Sequence, residues 1–167
     1  MDSGKWRTNI LTQSQVNQWL MEEIDKALNV GLKVPVERID KHVKLTNAFN
    51  TLGTCRRING NFSIRVSNNI INEKDIRNTL MHEILHTIDG CFNHGNKFIS
   101  CGNLINDCYY GYNIKRCNCV EKKEVEYKYR AVCNGCGQEI KRMKRSNFIK
   151  YMEHYKCGKC DGKFQLI

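Results

Sequence analysis

At 167 residues the chain has room for one ordinary domain and a small appendage, and its 41% hydrophobic content with a single proline excludes a disordered or collagen-like polypeptide. No apolar run approaches the length of a membrane span, and residues 1–10 lack the apolar core of a secretory signal, so a cytoplasmic, intracellular protein is expected. Ten cysteines without an export signal argue against a disulfide scaffold and for free or metal-bound thiols, and a net charge of +10, concentrated after residue 114, points to a polyanionic partner or to a solubilising charged face.

Residues 12–29 carry the first helical pattern. Thr12 and Gln15 form a capping box, apolar positions recur at Val16, Trp19, Leu20, Ile24, Ala27 and Leu28, and Gly31 supplies a stop. From Val34 to Val66 the pattern changes to short β-type runs broken by Asn and Gly. The clearest covers residues 61–67, with Phe62, Ile64 and Val66 on one face after an Asn59-Gly60 turn. Helical spacing returns over residues 73–89 through Ile76, Leu80, Ile84 and Ile88.

That helix carries His82-Glu83-Ile84-Leu85-His86, with His94-Gly95 following eight positions after the second histidine. Histidines one turn apart share a helix face, so His82 and His86 can grip one metal ion. A catalytic zinc needs three protein ligands and an open position, and His94 is the third ligand expected here. Glu83, beside the first ligand, suits a general base. Gly90 and Gly95 let the chain turn back on the metal. Asp89, one turn beyond His86, is a rival third ligand, a carboxylate that fixes a histidine tautomer, or a plain helix-end residue. The bland reading is a helix with ordinary surface histidines. A metzincin is excluded, since Asp89 and Phe92 stand where that pattern wants Gly and His. Tyr109 and Tyr110 follow and are read as oxyanion donors or as ordinary core or surface residues.

Past Gly111 the texture becomes polar and charged, which places a linker at residues 115–126 between a domain at 1–114 and a module at 127–167. Residues 115–167 carry 14 Lys/Arg against 6 Asp/Glu, whereas residues 1–114 carry 13 against 11. Within the module, Cys133-x-x-Cys136 and Cys157-x-x-Cys160 have the spacing of a closed four-thiolate structural zinc site. About 40 residues can hardly bury enough core to fold without it. Between these knuckles Lys141, Arg142, Lys144 and Arg145 interleave with Phe148 and Tyr151, a composition that suits phosphates and stacked single-stranded bases, although the two rings can equally pack on the module. His154 is a spare ligand beside Cys157. Cys117 and Cys119, with Cys101 and Cys108, are read as idle thiols or a further metal site, and Cys55, Cys91 and His42 as structural.

With both constellations in place the chain resembles the SprT-like family, which includes the Spartan DNA–protein crosslink proteases. The resemblance runs through Leu52-Gly53-Thr54-Cys55, the strand at residues 62–67, Thr79-Leu80-Met81 leading into the histidine motif, His94-Gly95-Asn96-Lys97-Phe98, and the four-cysteine module. It implies an α+β fold: a zincin-like metalloprotease domain followed by a small β zinc ribbon. His82, His86 and His94 would hold a catalytic zinc, Glu83 would be the base, Cys133, Cys136, Cys157 and Cys160 would hold a structural zinc, and the ribbon would engage DNA. The strand at residues 62–67 is expected to pair with extended substrate. The function expected is zinc-dependent proteolysis of DNA-bound or DNA-crosslinked protein. The alternative is a non-enzymatic nucleic-acid-binding zinc protein with a structural or vestigial histidine site.

Overall fold

A computed structural model describes residues 12–116, 120, 122 and 126–167. The chain divides into two compact units, residues 1–123 and 124–167. Cys117, Cys119 and part of the expected linker lie outside the described residues.

The first unit opens with helix α1 (Gln13–Asn29). The Thr12 hydroxyl accepts the Gln15 amide at 3.3 Å while Gln15 Oε1 accepts the Thr12 amide at 3.1 Å, which is the expected capping box. The helix stops where Gly31 adopts a φ of +84° and its amide reaches the Leu28 carbonyl. Three strands follow: β1 (Lys44–Thr46), β2 (Gly53–Ile58) and β3 (Asn61–Ser67). Asn59 and Gly60 both take positive φ, 49° and 83°, which matches the right-handed twist of the β2–β3 hairpin. Phe62, Ile64 and Val66 are buried on one face of β3, as the alternation requires.

Sheet order is β1-β3-β2, with β1 parallel and β2 antiparallel to β3. This corrects one expectation. Strand β3 is central: β2 pairs along one edge, and β1 and a bridge from Ile39 to Phe62 occupy the other. A substrate strand therefore cannot add to residues 62–67. Among the described residues β1 and β2 are the two edge strands, and β2 is the one that lies against Glu83.

Helix α2 (Glu73–Leu85) begins at Asn72, whose side chain accepts the Asp75 amide at 2.8 Å. It ends earlier than the apolar period suggests. His86 is its C-cap, and Thr87 and Ile88 continue in tight turns, their amides bonding the Ile84 and Leu85 carbonyls. Ile88 stays on the apolar stripe but outside the helix. Helix α3 (Asn96–Cys108) then returns with Phe98, Cys101, Gly102 and Ile105 buried. Strands and helices share one core around Leu20, Ile24, Ile64, Leu80, Ile84 and Phe98. Fully buried Glu23 on α1 accepts from Arg77 at 2.9 Å, Lys26 at 2.8 Å and the Tyr112 hydroxyl, tying α1, α2 and the segment after α3 together.

The second unit is a three-stranded antiparallel sheet in the order β5-β4-β6, from β4 (Tyr129–Cys133), β5 (Glu139–Arg142) and β6 (Phe164–Leu166), with one turn of helix α4 (Asn147–Lys150). Its buried apolar cluster is only Ala131, Ile149 and Met152, with Tyr129, Phe148 and Phe164 packed partly against it. The whole is α+β, a mixed-helix unit followed by a small β unit that carries the four clustered cysteines. No described helix is long and apolar enough to cross a membrane.

Candidate active site and metal centres

Helix α2 and the loop after it bring three imidazoles to one point. The Nε2 atoms of His82 and His94 lie 2.9 Å apart, those of His86 and His94 3.1 Å, and those of His82 and His86 3.2 Å. His86 Nδ1 donates to the Cys91 carbonyl at 2.8 Å, which leaves the Nε2 lone pair facing the other two rings. Tetrahedral zinc with bonds of about 2.0–2.1 Å sets nitrogen–nitrogen edges near 3.3 Å, so the triangle is only slightly tight for that ion. Burial, followed by the charges of His86 and His94, pushes the His82 imidazole down to about 4, and burial lowers that of His86 as well. Three imidazole nitrogens converging on one point fit a zinc ion. Asp89 is exposed and outside this cluster, so the third member is His94.

The cluster stands on an aromatic floor. Phe98, 1% exposed, has its ring centroid 4.8, 4.7 and 4.9 Å from those of His82, His86 and His94. Taken residue by residue, the sequence assigns Phe98 no role of its own; its helical stripe, Phe98, Cys101 and Ile105, is the available signal. Cys91, whose carbonyl orients His86, is itself buried with its sulfur 3.8 Å from that of Cys101. Cys101 thus lies beside Cys91 and outside either candidate metal cluster, and Cys108 is exposed.

Glu83 projects from the same helix toward strand β2. It is 6% exposed, and burial pushes its carboxyl up to about 8, with the Cys55 backbone amide opposing by hydrogen bonding to the charged form. The thiol of Cys55 is raised to about 12 by burial and then by the Glu83 charge. Gly53 makes this approach possible, since a β-carbon there would lie 2.6 Å from Glu83 Oε1 and 2.7 Å from Thr79 Cγ2. A cleft of about 120 Å³ lies over these groups, lined by Leu52, Gly53, Thr79, His82, Glu83 and Arg116. In the sequence Arg116 reads only as linker charge. The tyrosines considered as oxyanion donors are elsewhere: the Tyr109 hydroxyl bonds the Lys26 carbonyl, and Tyr110 is fully exposed beside Lys74 and Arg77.

In the second unit Cys133, Cys136, Cys157 and Cys160 converge, with Sγ atoms 3.4 Å apart for Cys133–Cys160 and 3.5 Å for Cys136–Cys157. These separations are far beyond a disulfide and close to the edges of a tetrathiolate site. The Cys136 amide, helped by that of Gly135 and opposed by burial, draws the Cys133 thiol down to about 7. A β-carbon at Gly162 would lie 2.8 Å from Cys133 Sγ, so the knuckles close only around glycine. Four thiols converging on one point fit a second, closed zinc site. His154 is exposed beside Glu153 and outside the cluster.

The basic run of the second unit is less uniform than its composition. Lys141 pairs with Glu139 at 3.1 Å, and Arg142 lies over the Phe148 ring at 5.9 Å. Lys144 and Arg145 are exposed, and among the described residues neither makes an ion pair. Phe148 packs edge-on against Tyr155 and Phe164, at 5.4 and 5.2 Å, so it belongs to the module's own cluster, whereas Tyr151 is 52% exposed.

A helix-borne histidine pair, a third histidine from the following loop and a buried glutamate over an edge strand define a metal-centred domain of zinc-metalloprotease type. The model of the SprT-like family matches residues 16–118, and the chain belongs to that family. No curated protein matches the chain. The four cysteines lie beyond the matched region, in the small β unit.

Proposed function

We propose that the chain is a zinc-dependent peptidase acting on proteins bound or crosslinked to DNA. The observation that carries the peptidase reading is Glu83, a buried carboxylate beside three convergent imidazoles and against the Cys55 amide of an edge strand. A purely structural histidine site has no use for such a group. An extended peptide added to the free edge of β2 by main-chain hydrogen bonds would run past it.

His82, His86 and His94 would hold a zinc ion, which when bound would supply Lewis acidity for activating water near neutral pH. The rest is done by the chain's own groups. Glu83 accepts the proton of the attacking water on its carboxylate and delivers it to the leaving amine nitrogen. Burial, which raises the Glu83 pKa, makes holding that proton between the two steps inexpensive. The Cys91 carbonyl and the Phe98 ring keep the imidazoles aimed, and the narrow cleft over Gly53 holds the scissile bond close to Glu83.

Direction to DNA is supported by charge. The segment from residue 115 onward holds 14 Lys/Arg against 6 Asp/Glu, with Lys144, Arg145 and the Tyr151 ring exposed. The test is Glu83→Gln, assayed on a protein crosslinked to a single-stranded oligonucleotide. It should retain zinc and lose cleavage; cleavage at the parental rate would overturn the mechanism. A variant with Lys141, Arg142, Lys144 and Arg145 all changed to Glu should bind the oligonucleotide more weakly and with a shallower salt dependence.

A further inference from the structure

The sheet of the first unit has two faces. Phe62, Ile64 and Val66 of β3 point into the core, together with Cys55 beside Glu83. The other face follows from register. Lys44 of β1 and Thr54 of β2 both pair with Arg65 of β3, and Arg56 of β2 pairs with Ser63 of β3. Paired residues share a face, with strands about 4.8 Å apart and rows about 6.6 Å apart along the strand. Lys44, Arg56 and Arg65 therefore stand together on the side of the sheet away from Glu83.

Three observations mark this face as a place for an anion. Lys44 and Arg56 are exposed, and among the described residues none of the three cations makes an ion pair. Charge is segregated around them: residues 36–66 contain six Lys/Arg and two Asp/Glu, while the remainder of residues 1–114 contains seven and nine. The same face holds donors without acceptors, since Arg65 Nε and Ser63 Oγ are shielded from water and have no hydrogen-bond partner. Buried donors rarely stay unpaired. Phosphodiester oxygens would supply the charge at exposed Lys44 and Arg56, and an acceptor for Arg65 once its side chain turns outward.

We infer that this outer face, centred on Lys44, Arg56 and Arg65, binds the phosphodiester backbone of single-stranded nucleic acid. It is a site on the peptidase-type unit itself, separate from the basic run of the cysteine module. The inference rests on the DNA-directed reading only for the identity of the polyanion. Its consequence for that reading is geometric. Strand β2 presents Arg56 to the nucleic acid while Cys55, the next residue, turns to Glu83, so a peptide attached to the bound strand needs only to round one sheet edge.

The test is fluorescence anisotropy with a labelled single-stranded oligonucleotide over a series of salt concentrations. It uses the full-length chain in which Lys141, Arg142, Lys144 and Arg145 are already Gln. Adding Lys44→Glu and Arg56→Glu should weaken binding at least tenfold and lower the slope of log affinity against log salt by roughly 1.4, about 0.7 for each phosphate of the single strand that is no longer neutralised. Lys44→Gln and Arg56→Gln, milder changes that spare the fold, should shift both readings in the same direction. Affinity and slope unchanged in the Gln pair would overturn the inference. So would an oligoglutamate peptide that competes as well as the oligonucleotide, since the face would then be a general acidic-protein surface. Because the readout is binding, a Glu83→Gln variant that still cleaves would defeat the peptidase mechanism and leave this site standing.

Discussion

A β-carbon at position 53 would stand 2.6 Å from Glu83 Oε1, so glycine is what allows the edge strand to lie against the carboxylate. Gly53→Ala must move either β2 or Glu83, because the other near neighbours, Thr79 Cγ2 and Glu83 Cγ, are also inside contact distance. Displacing a catalytic group by a fraction of an ångström to an ångström costs about 10²-fold in rate. Zinc, held by other side chains, should remain. Peptidase assay and metal analysis of the same preparation check this; an active Gly53→Ala enzyme would show that Glu83 does not need its place against β2.

Phe98 touches all three imidazoles from one side, and its loss should act on metal and fold together. Truncating a fully buried phenylalanine costs about 3–5 kcal/mol. Phe98→Ala should therefore lower the unfolding free energy by that amount and weaken zinc retention in a chelator competition. Phe98→Leu, which refills most of the volume, should recover much of the stability and less of the zinc affinity, because a flat ring is needed to restrain three ring planes. Equal recovery of both would reduce Phe98 to a space filler.

Much of the fold is legible locally. The α1 capping box, the Asn59-Gly60 hairpin, the alternation of β3 and both ligand clusters are written in residues a few positions apart, or in ligand types too unusual to mistake. What is not legible is set by pairing at a distance. That β3 is central and β2 an edge strand follows from where β1 docks, which no short window contains. Helix α3 carries an apolar stripe of Phe98, Cys101 and Ile105, but nothing local says that Phe98 lies under three imidazoles. Local turns end α2 at Leu85, although Ile88 keeps the apolar period. Arg116 reads as linker charge and is recognised only by the cleft it lines.

Glu23 is fully buried on α1 and is matched by Arg77 of α2, whose side chain is 19% exposed, together with Lys26 and Tyr112. Removing Arg77 leaves a carboxylate in the core with weaker compensation. Arg77→Met should destabilise the chain by roughly 3 kcal/mol, the low end for breaking a buried pair, because Lys26 and Tyr112 stay. The double variant Glu23→Leu with Arg77→Met should regain part of that loss, since no carboxylate remains in the core and the Lys26 left without it is partly exposed. Denaturant unfolding of the single and double variants measures the coupling. Additive losses would mean that the pair contributes little.

The two metal sites should respond differently to removal of zinc. The first unit has a continuous core from α1 through α3, and its histidine cluster lies at one end of α2. Apart from Cys133 and Cys157, the described residues of the second unit that are buried are Ala131, Ile149 and Met152, and its two knuckles come together at four sulfurs. A core that small contributes too little to offset the conformational entropy of some 40 residues. Chelation should therefore unfold the cysteine unit and leave the first unit folded but inactive. Amide hydrogen exchange should show residues 129–166 losing protection while Leu20, Ile64 and Leu80 keep theirs. Intact protein should contain two zincs, with one absent in His86→Ala and the other in Cys136→Ser. His86→Ala should keep the cysteine unit protected, and Cys136→Ser should lose that protection while retaining zinc at the histidines. If the cysteine unit keeps its protection after its zinc is removed, its fold does not depend on metal.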